Sequence, residues 1–268
     1  DGLPLIGPMP GVQNAFEACV FTFGIVQAGG AGKLLAEMIT EGETESDSWA
    51  VDPRRFTDHV DVRYTAAKAI ETYSHEYAMH FPQIQWPAGR KAKYSPLYDR
   101  LAEAGAEFGS YGGWERADWF PSNDDDRLAA NSYDRQHWFD TVGDECRHVA
   151  AHAGIIELTG FSRFHVTGVG ADDWLKTQIT GNLPLVGRIG LVYFASPKGK
   201  VVSEMTMTRF AKNDFLLMTG AGAYWHDRDL LNASLPKNES ISIADVTRDL
   251  ATLLVTGPQA PAILAAVM

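Results

Sequence analysis

The stretch with the strongest chemical potential is Gly24-Ile25-Val26-Gln27-Ala28-Gly29-Gly30-Ala31-Gly32-Lys33. It follows a short apolar run, 16–23, and leads into Leu34-Leu35-Ala36-Glu37-Met38-Ile39. That order reads as strand, glycine-rich turn, helix. Glycines let backbone come close to a flat or anionic ligand, because no Cβ intervenes. A helix start adds unpaired N–H groups and a partial positive charge. Such a turn could hold a phosphate, a carboxylate or an electron-rich ring edge. It could equally serve only tight packing. It is not a P-loop, since Leu34 and not Ser or Thr follows Lys33, and it is not a clean G-x-G-x-x-G.

Other groupings carry less. His148 and His152 are four apart, share a helix face and could chelate zinc, with Asp144, Glu145 and Cys146 close by. Val149 follows His148, so H-E-x-x-H is absent, and no second Cys is paired nearby. An ordinary surface helix is expected there, with no metal. Asn123-Asp124-Asp125-Asp126 reads as a solvated loop, lacking the alternating ligands and distal Glu of a calcium loop. Glu204, between Ser203 and Met205, reads as a solvent-facing strand residue. Glu115 and Arg116 are adjacent and are expected to pair. There is no G-x-S-x-G motif and no spacing that suggests a triad, so no catalytic residue is assigned within this chain.

These residues need a framework of alternating strands and helices, and the chain is long enough for one large domain or two ordinary ones at 268 residues. Hydrophobic residues make up 45% and mean hydropathy is −0.16, so a packed core is expected. A net charge of −11 argues against nucleic acid, whose phosphates need clustered Lys and Arg. No apolar run approaches the ~20 residues that span a bilayer. Cys19 and Cys146 are expected as free thiols in a reducing compartment.

Along the chain, helix is expected to about Thr40 with Gly42 ending it, then an acidic connector over 41–48. Asp52 and Pro53 open a helical turn, 64–77 has helix spacing, and Ser95-Pro96 opens another helix to about Gly105. After Phe108 the expectation is helix over 143–153 and 171–180. Strands are expected over 154–159, 161–167, 188–195, 201–209, 215–219, 241–246 and 252–256. Turns at 197–199 and 212–214 join three of these. A further helix covers 223–231, and Pro258 starts the last. This is an α+β pattern. The chain starts at Asp1 without Met and stops inside an apolar helical pattern at Met268, so it reads as an internal fragment.

The runs Asp1-Gly2-Leu3-Pro4-Leu5-Ile6-Gly7-Pro8 and Ala18-Cys19-Val20-Phe21-Thr22-Phe23-Gly24-Ile25, with the glycine stretch, resemble the end of the flavin domain in the dimethylglycine and sarcosine dehydrogenase family. His80-Phe81-Pro82, Pro87-Ala88-Gly89-Arg90 and Ser95-Pro96-Leu97-Tyr98-Asp99-Arg100-Leu101 resemble its small central domain. Gly112-Gly113-Trp114-Glu115, Gly154-Ile155-Ile156-Glu157-Leu158-Thr159, Val166-Thr167-Gly168-Val169-Gly170-Ala171 and Val255-Thr256-Gly257-Pro258-Gln259-Ala260 resemble the start of its folate-binding aminomethyltransferase domain. The resemblance implies a flavin-domain remnant over 1–50, the central domain over 51–107 and the first part of the folate domain over 108–268.

By the same resemblance, Val20, Phe21, Thr22, Phe23, Gly24 and Ile25 lie against FAD, with Val20 where the family usually has Gly. Phe161, Asn182 and Pro184 match folate-pocket positions. Asn182 stands where an acid is frequent, and an amide orients a ligand but cannot act as a carboxylate base. The bland alternative makes Asn182 a helix C-terminal residue in the left-handed region. Glu204 also lies where the family tends to have an acid. The implied parent oxidises the N-methyl group of a small amino acid, dimethylglycine or sarcosine, to an iminium at FAD. It passes the one-carbon unit to tetrahydrofolate and electrons to a transfer flavoprotein or oxygen. No nucleic acid or membrane partner is implied, the location is cytoplasmic (mitochondrial matrix if eukaryotic), and the fragment alone is expected to be inactive. Two alternatives share these domains: a non-catalytic relative like the pyruvate dehydrogenase phosphatase regulatory subunit, and a folate-dependent aminomethyltransferase.

Overall fold

The computed structural model describes residues 3–56, 59–158, 160–196, 198–238 and 240–267. Asp1 and Gly2 of the opening run, Thr159, Pro197 and Met268 lie outside the described residues.

The chain opens with the hairpin β1 (Leu5–Pro8) and β2 (Phe16–Cys19), then helix α1 (Ile25–Thr40). Gly42, at φ +80°, ends α1 as expected, because glycine accepts the left-handed region without a Cβ penalty. A 3-10 turn, Pro53–Phe56, follows Asp52, whose carboxylate accepts the Arg54 N–H at 2.8 Å. Helix α2 (Val62–His75) is capped by Asp61, which accepts from the Tyr64 N–H at 2.7 Å. Next come α3 (Tyr98–Glu103), the hairpin β3 (Glu107–Tyr111) and β4 (Trp114–Trp119), and the short α4 (Asp124–Leu128). Then follow α5 (Phe139–Ala151), β5 (Gly154–Glu157), β6 (Ser162–Gly168), α6 (Ala171–Gln178) and β7 (Ile179–Thr180). The chain continues through β8 (Arg188–Ala195), β9 (Val201–Ala211), β10 (Asp214–Thr219) and α7 (Tyr224–Ala233). It closes with β11 (Ile241–Asp245), β12 (Leu253–Thr256) and α8 (Ala260–Val267).

Two compact units result: 1–57 with 161–250, and 58–160 with 251–268. The first is built on a six-stranded antiparallel sheet in the order β11-β6-β10-β9-β8-β7. Alternation along the strands turns Phe164, Val192, Phe194, Met205, Met207 and Phe215 to one buried face. Trp174 and Leu175 of α6 and Leu231 of α7 complete that core. Each such side chain contributes about 1.5–3 kcal/mol on burial. The 49–56 segment is clamped to α7: Trp225 Nε1 donates to the Arg54 carbonyl at 2.7 Å, and the Arg54 guanidinium bridges Asp52 at 2.6 Å and Asp229 at 2.7 Å. In the second unit Arg90 grips the buried Glu115 through Nε at 2.9 Å and Nη2 at 2.5 Å. The Lys91 N–H adds a bond to Glu115 at 2.6 Å.

Several expectations change. The glycine-rich stretch is not a turn: α1 begins at Ile25 and carries Gly29, Gly30 and Gly32 inside it. Ala28 before them and Lys33, Leu34, Leu35 and Ala36 after them sustain the helix against glycine's entropic cost of about 1 kcal/mol per residue. The 16–23 strand ends at Cys19, because Val20 turns to φ +60°. The acidic loop is the start of α4, with Asn123 as its cap accepting from the Asp126 N–H at 2.9 Å and three Asp at the positive helix end. Helix 171–180 stops at Gln178, since the β-branched Ile179 and Thr180 pair with β8. Glu115 does not pair with Arg116, because neighbours on a strand point to opposite faces; Arg116 stacks on Tyr111, 3.8 Å from the ring centre. Ile70, Tyr73 and Tyr77 have the expected helical spacing but are exposed.

Candidate functional site

The six residues expected against FAD form the link between β2 and α1. Val20 carries φ +60° and Gly24 φ +53°. For a β-branched residue that conformation is strained. Val20, Thr22, Phe23, Gly24 and Ile25 are exposed and Phe21 is half-buried. The apolar side chains of Phe23 and Ile25 stand 70% and 92% exposed beside the helix start. No side chain caps α1 and its first turn holds no acid. The Gln27 N–H is taken by the Gly24 carbonyl at 3.1 Å, while the positive dipole end of the helix faces no acid of its own first turn and suits an electron-rich ring edge or an anion. A Cβ at Gly29, Gly30 or Gly32 would meet nothing within 4 Å among the described residues, so the helix surface is open at these positions. Gln27 Oε1 is buried without a hydrogen-bond partner among the described residues, an acceptor that the sequence did not single out. Lys33 is held by Glu45 at 2.8 Å and Glu37 at 3.4 Å.

The residues expected at folate lie on the six-stranded sheet. Asn182 and Pro184 share the loop between β7 and β8; Asn182 is exposed, and Pro184 accepts from Arg209 Nη1 at 3.1 Å. The left-handed residue after α6 and β7 is Gly181, φ +90°, and not Asn182, so the helix-cap explanation of that amide fails. Phe161 precedes β6, half-buried. Strands β10, β9 and β8 intervene between β6 and β7. At ~4.8 Å per strand, Phe161 stands on the order of 20 Å from the Asn182 loop.

Between them the sheet presents a pair that sequence spacing alone did not reveal. The β8–β9 hairpin sets Tyr193 opposite Glu204, and β7 sets Thr180 opposite Tyr193. Both alternate with buried neighbours, so they face away from the α6–α7 core. A hydrogen bond with Glu204 raises the Tyr193 hydroxyl above its usual range. Glu204 is thus solvent-facing, as expected, and also paired. A phenol and a carboxylate on an open sheet face can hold a proton at a polar ligand. His148 and His152 do meet, with ring centres 4.9 Å apart, but no group of three metal-ligating side chains occurs among the described residues. Cys19 and Cys146 are free, and no helix is long and apolar enough to cross a membrane among the described residues.

Two family models match: the FAD dependent oxidoreductase central domain over residues 41–95 and the GCVT N-terminal domain over 97–268. The chain belongs to the family of dimethylglycine and sarcosine dehydrogenases that joins these two domains. It is 34% identical over 266 residues to dimethylglycine dehydrogenase, mitochondrial, from Homo sapiens, covering 98% of this chain and 31% of that protein. It is 33% identical over 264 residues to 4-methylaminobutanoate oxidase (formaldehyde-forming) from Paenarthrobacter nicotinovorans, covering 97% and 32%. The chain thus spans about a third of the length of these relatives. Among solved structures, aminomethyltransferase T of the glycine cleavage system from Bartonella henselae matches with a TM-score of 0.52 and 25% identity, over 65% of this chain and 43% of that one.

Proposed function

We propose that this chain forms part of an FAD-dependent oxidase or dehydrogenase of small N-methylated amino acids, with tetrahydrofolate as acceptor of the one-carbon unit. The observation that carries it is the uncapped, acid-free N-terminus of α1, with an open glycine face and an orphaned Gln27 Oε1 beside exposed Phe23 and Ile25. Bound FAD would supply the hydride acceptor, and tetrahydrofolate would take up the one-carbon unit. The chain's own part is positional. Val20, Phe21, Thr22, Phe23, Gly24 and Ile25 close one edge of the flavin pocket. Phe161, Asn182 and Pro184 border the folate side, where Tyr193 and Glu204 hold a proton. The domain limits proposed are 1–50, 51–107 and 108–268. The names of both relatives cited point to N-methylated amino acids as the substrate class. Electrons then leave to a transfer flavoprotein or oxygen, in the cytoplasm or the mitochondrial matrix.

The test is the native polypeptide purified from its source, with intact mass and visible spectrum. A yellow protein of about the relatives' length, bleached anaerobically by dimethylglycine or sarcosine, supports the proposal. A colourless protein that no N-methyl amino acid reduces overturns it. That result favours a non-catalytic regulatory relative, for which the strained Val20 and the amide at Asn182 are the supporting observations. Full turnover of dimethylglycine by residues 1–268 alone would refute the positional role.

A further inference from the structure

The 58–160 part of the second unit contains a cleft of about 400 Å³ that the proposed function does not use. That volume falls within the range of small-ligand sites. Aromatic rings of Phe108, Tyr111, Trp119 and Trp138 line it. Asp118 also lines it, with its Oδ2 accepting from the Tyr111 hydroxyl at 3.0 Å. The carboxylate lies over Gly109, whose missing Cβ would otherwise occupy that place. Both guanidinium groups in the cleft already face a carboxylate, Arg127 with Glu107 at 2.6 Å and Arg116 with Asp118 at 3.5 Å. That pairing disfavours an anionic ligand. The Arg116 contact is long, and its guanidinium stacks on Tyr111 instead of closing on the carboxylate. Burial pushes the Asp118 carboxyl up, more than Tyr111 and Arg116 bring it back. An additional cation would therefore be welcome beside it.

Two further observations single out this wall. His137 Nδ1 is buried with no hydrogen-bond partner among the described residues, while its ring stands edge-on to Trp119 at 5.4 Å. Gln83, in the same wall, holds φ +60°, a conformation that costs a non-glycine residue energy and that clusters at ligand sites. We propose that this cleft binds a small alkylammonium ion, its N–H bonded to Asp118 and its methyl groups against the aromatic walls. Aromatic faces attract cations through their quadrupole, and a carboxylate at the same place fixes the ion's orientation. For an ammonium with more than one N–H, His137 Nδ1 is a second acceptor in the tautomer that carries its proton on Nε2.

The experiment is titration of the 268-residue chain with trimethylammonium chloride, read at the indole N–H resonances of Trp119 and Trp138. Sodium chloride at equal ionic strength and tert-butanol, the neutral isostere, are the controls. Saturable shifts with trimethylammonium alone are expected, with binding at least tenfold weaker in Asp118→Asn. Equal shifts with tert-butanol would reduce the cleft to an apolar hollow and overturn the proposal. So would undiminished binding by Asp118→Asn, or saturable shifts with inorganic phosphate and none with the ammonium. If Asp118→Asn fails to fold, the comparison of trimethylammonium with tert-butanol in the unmodified chain still decides.

Discussion

Single side chains here are tuned by what lies within a few ångströms of them. Val20 sits at φ +60° with its side chain 64% exposed, so it has strain and little compensating burial. Val20→Gly should stabilise the chain by about 1 kcal/mol in urea unfolding, since the left-handed region costs an L-residue roughly that much. Glu115 is the opposite case, its side chain 2% exposed and its charge matched by Arg90. Burial pushes its carboxyl up, but Arg90 and the Lys91 N–H outweigh burial and leave it lowered. The stability this provides is present above the ordinary value of 4.5 and is lost as pH falls through the lowered one. Glu115→Gln should cost about 3 kcal/mol at neutral pH, the low end for breaking a buried pair, and flatten the acid limb of the stability profile. His226 has the reverse sign: its bond to buried Asp227, with help from charges around it, raises it above 6.5. That contribution is full below pH 6.5 and fades as pH rises through the raised value. His226→Gln should therefore lower stability at pH 6 and change it little at pH 9, measured by chemical denaturation at both.

At the level of elements, α1 is the informative case. Its three interior glycines are unfavourable to a helix, and a Cβ on any of them would meet nothing within 4 Å among the described residues, so packing among those residues does not explain them. Substitution of Gly29, Gly30 and Gly32 together by alanine should stabilise the isolated chain by about 2–3 kcal/mol. On the proposed function, the same change in the native full-length protein should weaken flavin retention, seen as loss of the visible spectrum on gel filtration. Stabilisation without any loss of flavin would show that the open face has no ligand role. The sheet tells a plainer story. Its strands were legible because apolar runs over 188–195 and 215–219 are separated by turn residues such as Gly199 and Asn213, and in 201–209 Met205 and Met207 alternate with Glu204, Thr206 and Thr208, the period that one buried face imposes. Helix against turn at 24–33 was not legible, because glycine content signals a turn in either setting and the deciding hydrogen bonds run to residues four positions away.

The whole chain is interleaved. Residues 1–57 join 161–250, and 58–160 join 251–268, so neither unit follows the linear order of the family models, which meet between 95 and 97. A cut at that family boundary breaks the 58–160 segment and removes 1–57 from the sheet it packs with. The piece 97–268 expressed alone should lose cooperative urea unfolding, and co-expression with 1–96 should restore it. Cooperative unfolding of 97–268 alone would mean that the clamp of Arg54 and Trp225 contributes nothing to the sheet unit.

The sequence by itself determined the family, the α+β class and nearly every strand of the large sheet, because hydrophobic period and turn chemistry are local properties. Gly42 fixed a helix end for the same local reason, whereas the cap at Asp61 emerged only in the structure. Only the tertiary structure decided that Tyr193 meets Glu204, that Phe161 and Asn182 stand at opposite sides of the sheet, and that Asp118, His137 and Gln83 share one cleft. Those juxtapositions depend on strand register and chain crossing, where groups distant in sequence gain or lose a partner through packing rather than through spacing.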